Sequence, residues 1–129
     1  MTRRRSRPPG AVRRPGDRGA FTAELAVGLP ALVLLLFVGL TAVNAVNAQL
    51  RCVDAAREAA LAASRGGAGA AAGVREAPAG ATVTVRGEGE RVRATVQAPV
   101  RPLGRWLPTI TVEATAVAAL EPGAPEVIP

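Results

Sequence analysis

The chain has 129 residues, 16 basic against 10 acidic side chains and a formal net charge of +6, which is enough length for one domain and too little for several. It contains no His and a single Cys, so imidazole metal sites, His-based acid–base catalysis and a disulfide within the chain are excluded. With two Phe, one Trp and no Tyr there is no aromatic platform for stacking bases, and the basic charge needs an explanation other than nucleic acid.

That explanation lies in where the charge sits. Arg3, Arg4, Arg5, Arg7, Arg13, Arg14 and Arg18 all precede residue 19, with Asp17 as the only acid among them, which leaves nine Arg against nine acids in the remainder. Residues 1–19 read as an Arg-rich leader, broken by Pro8, Pro9, Gly10 and Pro15 and expected to be disordered. Positive charge ahead of an apolar segment keeps that side cytoplasmic, so the remainder is expected on the extracytoplasmic side. All sixteen basic residues are Arg, and Ala, Val, Gly and Pro dominate, as in a GC-rich bacterial genome such as an actinomycete.

Next comes the uncharged run LAVGLPALVLLLFVGLTAVNAV, residues 25–46. Its 22 residues would extend about 33 Å as a helix, matching a hydrocarbon core of about 30 Å. Pro30 removes one backbone hydrogen bond near its start, where a kink is expected. Immediately before the run stands Arg18-Gly19-Ala20-Phe21-Thr22-Ala23-Glu24. A lone Glu at the mouth of an apolar helix costs about 2 to 3 kcal/mol in lipid, so Glu24 asks for a positive partner.

A small residue, four further residues, a Glu and then the apolar segment resemble a prepilin. With Pro30 six residues beyond Glu24, and with Asp54-Ala55-Ala56-Arg57-Glu58-Ala59-Ala60 further on, the chain is similar to the TadE-like proteins of tight-adherence (Flp, type IVb) pilus systems. The resemblance is good over residues 18–65 and holds in outline elsewhere. It implies cleavage after Gly19 by a prepilin peptidase, with Ala20 as the new amino terminus and Glu24 at the fifth mature position. Glu24 and Pro30 would be the assembly residues, Glu24 pairing with the terminal amine of a neighbouring subunit. The partners implied are the membrane, the peptidase, other pilin subunits and pilus assembly proteins, with no cofactor, nucleic acid or small-molecule substrate. Two rival readings remain: an uncleaved single-pass anchored accessory protein, and a small secreted β domain released after Ala48, where Val46-Asn47-Ala48 satisfies the small-x-small rule.

Against release at Ala48, the helical pattern continues through it. Leu50, Val53, Ala60, Leu61 and Ser64 form an apolar or small stripe, Arg51, Asp54 and Glu58 lie off it, and Asp54 and Arg57 are placed for an i to i+3 pair. One continuous helix is expected over residues 21–65, within a segment 20–65 that is part membrane-spanning and part projecting. Cys52 is either a small residue at a helix interface or an intermolecular contact on the disulfide-permissive side. Residues 66–80 read as a Gly/Ala-rich linker unable to fold by itself.

Beyond the linker the apolar period shifts to two. Residues 81–86 and 91–98 alternate, with Val83, Val85, Val92, Ala94, Val96 and Ala98 on one face and Gly87-Glu88-Gly89-Glu90 as the turn. Residues 109–120 give a third strand with Ile110, Val112 and Ala114 inward, after a loop at 99–108 holding Arg101, Arg105 and Trp106. Trp106 is read as core, with an adhesive contact or a membrane-surface anchor as the alternatives. Glu88 and Glu90 on a Gly-rich turn are solvated charges, and no nucleophile–base pair, phosphate loop or metal spacing is present, so no enzyme is expected. Residues 121–129 read as a disordered Pro-rich tail. The expected fold is α+β: a long N-terminal transmembrane helix continuing outside the membrane and packed on a small antiparallel sheet of about three strands, residues 81–120.

Overall fold

The computed structural model describes residue 10, residues 16–102 and residues 105–125. The leader residues before Gly16, apart from Gly10, lie outside this range, as do residues 126–129 of the expected tail. The elements are α1 (Gly16–Ser64), α2 (Gly69–Glu76), β1 (Thr82–Glu88), β2 (Arg91–Val100) and β3 (Ile110–Ala119), an α+β arrangement. The chain divides into two compact units, Met1–Phe37 and Val38–Pro129.

In the first unit the described part of α1 is exposed throughout, including Phe21, Leu25 and residues 27–37. The helix is long and apolar enough to cross a membrane. A run of Leu, Val and Phe facing outward on every side of a helix finds its solvent in lipid rather than water. The helix begins at Gly16 rather than at the expected residue 21, so Gly19 and Ala20 lie inside its first turns.

The second unit is a three-stranded antiparallel meander of order β1-β2-β3, covered on one face by the C-terminal half of α1 and by α2. Its turn is tight because Glu88 pairs with Arg91 and only Gly89 and Glu90 lie between them. Gly89 takes φ +65°, the conformation a hairpin of this length needs at its first central position. Alternation then decides the faces: Val92, Ala94, Val96, Ala98 and Val100 of the central strand are all buried. Ala114 is buried and Val112 half-buried on β3, whereas Ile110, expected inward, stands at the strand's open start and is 52% exposed.

The buried face of α1 differs from the expected stripe. Cys52, Ala55, Ala56, Ala59, Ala60, Ala63 and Ser64 are buried, while Leu50 and Leu61 are exposed. Cys52, Ala55 and Ala56 pack on Val96, Ala98 and Ala114, and Ala59 and Ala60 on Ala94. Small side chains let the helix lie close to the sheet, and the leucines are left on the far side. The expected Asp54–Arg57 pair is absent from the ion pairs among the described residues, which are Arg65–Glu121 and Arg93–Glu88.

Residues 66–80 are more than a linker. Gly66 takes φ +78° and closes α1 with a Schellman motif, its N–H donating to Ala63 O and that of Gly67 to Ala62 O. The chain then folds back as α2, whose Gly69 and Gly73 stand four apart on one face. A Cβ at Gly73 would lie 2.9 Å from both Ala59 Cβ and Val83 Cγ1, and one at Gly69 only 2.6 Å from Ala59 O. The two glycines therefore let α2 seat directly on α1. Residues 121–125 of the expected disordered tail also find partners: Glu121 N–H donates to Ser64 O, Ala124 N–H to Glu121 O, and Pro125 lies over Gly66.

Candidate processing and assembly site

Gly19, Ala20, Glu24 and Pro30 all lie on the exposed first unit of α1. A Cβ built on Gly19 meets nothing within 4 Å, so neither packing nor backbone conformation in the fold calls for glycine there. The Thr22 hydroxyl donates back to Arg18 O, bracketing the Gly19–Ala20 bond with a local contact that a helix tolerates but does not need. Glu24 stands four residues after Ala20, hence on the same helical face and about 6 Å further along the axis. It makes no ion pair among the described residues, with Arg18 or any other side chain. Pro30 sits within α1, where its ring leaves the carbonyl of residue 26 without its usual donor.

The two other candidate residues have opposite environments in the second unit. Cys52 is fully buried between α1 and the sheet, and burial pushes its thiol above the ordinary range, the setting of an inert packing residue. Trp106, expected in the core, is 93% exposed. The core between α1 and the sheet is instead built of small side chains, Ala with a few Val and Cys52. The largest fully buried side chains are Val92, Val96 and Cys52.

The outer face of the sheet is polar. Arg93 donates from Nε to Glu88 Oε1 at 2.8 Å and from Nη2 to Oε2 at 3.2 Å, and these bonds hold the Glu88 carboxyl below its usual range. Gln97 Nε2 donates to Glu113 Oε2 at 2.6 Å, and Thr95 and Thr115 hydroxyls face each other at 3.4 Å. These are cross-strand supports of an exposed sheet. The described residues hold no group of three or more His, Cys, Asp or Glu side chains placed for a metal ion.

An exposed apolar helix with a carboxylate at its start that has no ion pair among the described residues, joined to a small α+β head, defines a membrane-anchored protein of pilin-like plan. Residues 19–61 match the TadE-like protein family, and the chain belongs to it. A relative in Mycobacterium tuberculosis, named Apoptosis inhibitor Rv3655c, is 44% identical over 102 residues, covering 78% of each chain. No solved structure matches. Membership carries a broadly pilus-associated role of the minor-pilin kind.

Proposed function

We propose that the protein is a minor pilin or pseudopilin of a tight-adherence system, processed between Gly19 and Ala20 and acting in assembly of a thin pilus or a related secretion system. The observation that carries this reading is Glu24, a carboxylate without an ion pair among the described residues, one helical turn beyond Ala20 at the entrance to the apolar run. Cutting after Gly19 removes the Arg-rich leader and creates an ammonium group at Ala20, beside the positive end of the helix dipole. Glu24 then has a terminal ammonium as a candidate partner, a group created only by the cut. In lipid such a charge is costly until paired, so pairing with the terminus of a neighbouring subunit drives helices together. The leader stays cytoplasmic and the head extracytoplasmic, following the charge asymmetry across the membrane segment.

The alternatives make different products. An uncleaved anchor keeps its leader, and a secreted domain begins at Gln49. The latter cut would fall inside α1 and strip the head of Thr41, whose hydroxyl donates to Pro102 O. The name of the mycobacterial relative concerns apoptosis, and no residue of the candidate site speaks for that activity here. The test of the assembly reading is fractionation: the protein should appear among filaments sheared from the cell surface and vanish from them in cells lacking the prepilin peptidase. Recovery only from membranes, with or without the peptidase, would contradict it.

A further inference from the structure

The only Trp of the chain is almost wholly exposed, although the head that carries it is short of large side chains for its core. Leu107 and Ile110 beside it are 44% and 52% exposed, which makes an apolar patch at one end of the sheet. Arg101 and Arg105 flank the patch, both exposed and without an ion pair among the described residues. A cluster of this kind on a small head marks a contact surface.

The height of this patch along α1 says what the contact is. Following β2 toward its end, Ala94 packs at Ala59 and Ala60, Val96 and Ala98 pack at Cys52, Ala55 and Ala56, and the chain then reaches Pro102, whose carbonyl accepts from Thr41 Oγ1 at 3.1 Å. The β2–β3 loop is thus the end of the head nearest the apolar run. Thr41 lies inside that run, five residues before its last apolar residue, Val46, or about 7.5 Å below it. The first charge beyond the run is Arg51, so the boundary between hydrocarbon and water falls between Val46 and Arg51. A loop pinned at Thr41 therefore passes the headgroups and touches the outer part of the acyl region. The hydrogen bond itself fits that depth, because it satisfies a carbonyl that hydrocarbon cannot. Leu40, Val43 and Val46 of α1, at the same level as Thr41 or just above it, are likewise exposed and apolar.

We propose that the β2–β3 loop is a membrane foot: Trp106, with Leu107 and Ile110, inserts at the headgroup–acyl boundary of the bilayer that α1 crosses, and Arg101 and Arg105 bind lipid phosphates. An amphipathic indole prefers that boundary, and Arg stems lie along it while their guanidinium groups reach the phosphates. The foot fixes the head against the membrane before any subunit is extracted. It rests on anchoring by α1 and not on pilus assembly.

The single Trp makes the test direct. The full chain, reconstituted in vesicles of phosphatidylcholine and phosphatidylglycerol and checked by flotation, should show blue-shifted emission. Lipids brominated near the headgroup end of the acyl chains should remove most of that emission, while aqueous iodide quenches it several-fold less than free tryptophan. Arg101→Ala with Arg105→Ala should weaken the bromolipid quenching and restore iodide access. Water-like emission quenched fully by iodide would overturn the proposal. So would blue-shifted emission indifferent to both quenchers, which would place Trp106 in a protein–protein contact. A chain that failed to float with the vesicles would overturn the anchoring itself, a result distinguishable from failure of the foot.

Discussion

Gly73→Ala should loosen the head, although the same exchange stabilises most helices. Within a helix Ala is favoured over Gly by about 0.5–1 kcal/mol. At Gly73 the added methyl would stand 2.9 Å from Ala59 Cβ and from Val83 Cγ1 and 3.2 Å from Ala55 O, well inside the 3.5–4.0 Å of ordinary carbon contacts. Overpacking of this kind costs about 1–3 kcal/mol, so with the middle of each range the net change is a loss of about 1.25 kcal/mol. Gly69→Ala should be worse, since its methyl would meet a backbone oxygen, Ala59 O, at 2.6 Å. Cys52 supplies the assay: it is the only cysteine, lies on the face of α1 fully buried against the sheet, and can react only when helix and sheet part. With the full chain in micelles and a maleimide at neutral pH, labelling follows the opened population. Gly73→Ala should then label about eightfold faster, at tenfold per 1.4 kcal/mol. Ala71→Gly, on the exposed face of α2, isolates the propensity effect and should accelerate labelling by no more than about fivefold. Labelling of Gly73→Ala at or below the wild-type rate would refute the close-packing argument.

Other consequences can be checked separately. Gly19→Leu should leave helix content by circular dichroism unchanged, since a Cβ at this exposed position meets nothing within 4 Å, while the uncut precursor accumulates in mass spectra of the membrane fraction. Glu24→Gln should still insert and be cut, yet be lost from sheared surface material, because an amide has no charge to offer the Ala20 amine; normal recovery would remove Glu24 from the assembly role. The Cys52 thiol has a raised folded-state pKa, so the fold favours its neutral form. Head stability should therefore be full below the unfolded thiol's pKa of about 8.5 and decline as pH rises above it toward the folded value, and Cys52→Ala should flatten that decline in alkaline thermal melts.

The sheet was legible because its signals are local. Alternation of Val92, Ala94, Val96 and Ala98 against Arg91, Arg93, Thr95 and Gln97 leaves only one face to bury, and Gly89 permits the turn. The apolar span of α1 was legible for a related reason, since 22 uncharged residues behind a basic leader and a lone Glu leave few physical options, although the helix itself begins earlier, at Gly16. The buried face of α1 was not. Size suggested Leu50 and Leu61, but a helix lying close on a sheet selects Ala55, Ala56, Ala59, Ala60 and Ala63 instead, and in an Ala-rich sequence that stripe has no contrast. The same lack of contrast hid α2, whose Gly69 and Gly73 look like linker composition until the surfaces they touch are known. Trp106 went the other way: its size argued for the core, which is instead built of small side chains. Gly19, Ala20, Glu24 and Pro30 are exposed and make few contacts in the single chain, so their roles depend on a peptidase and on neighbouring subunits.

The central claim is that the chain is cut between Gly19 and Ala20, and the most direct test is the amino-terminal residue of the mature protein. It should be read by mass spectrometry of membrane and sheared surface fractions, from cells with and without their prepilin peptidase. The account predicts a terminus at Ala20 that disappears when the peptidase is absent. A chain still beginning at Met1 or Thr2, or one beginning at Gln49, would contradict it.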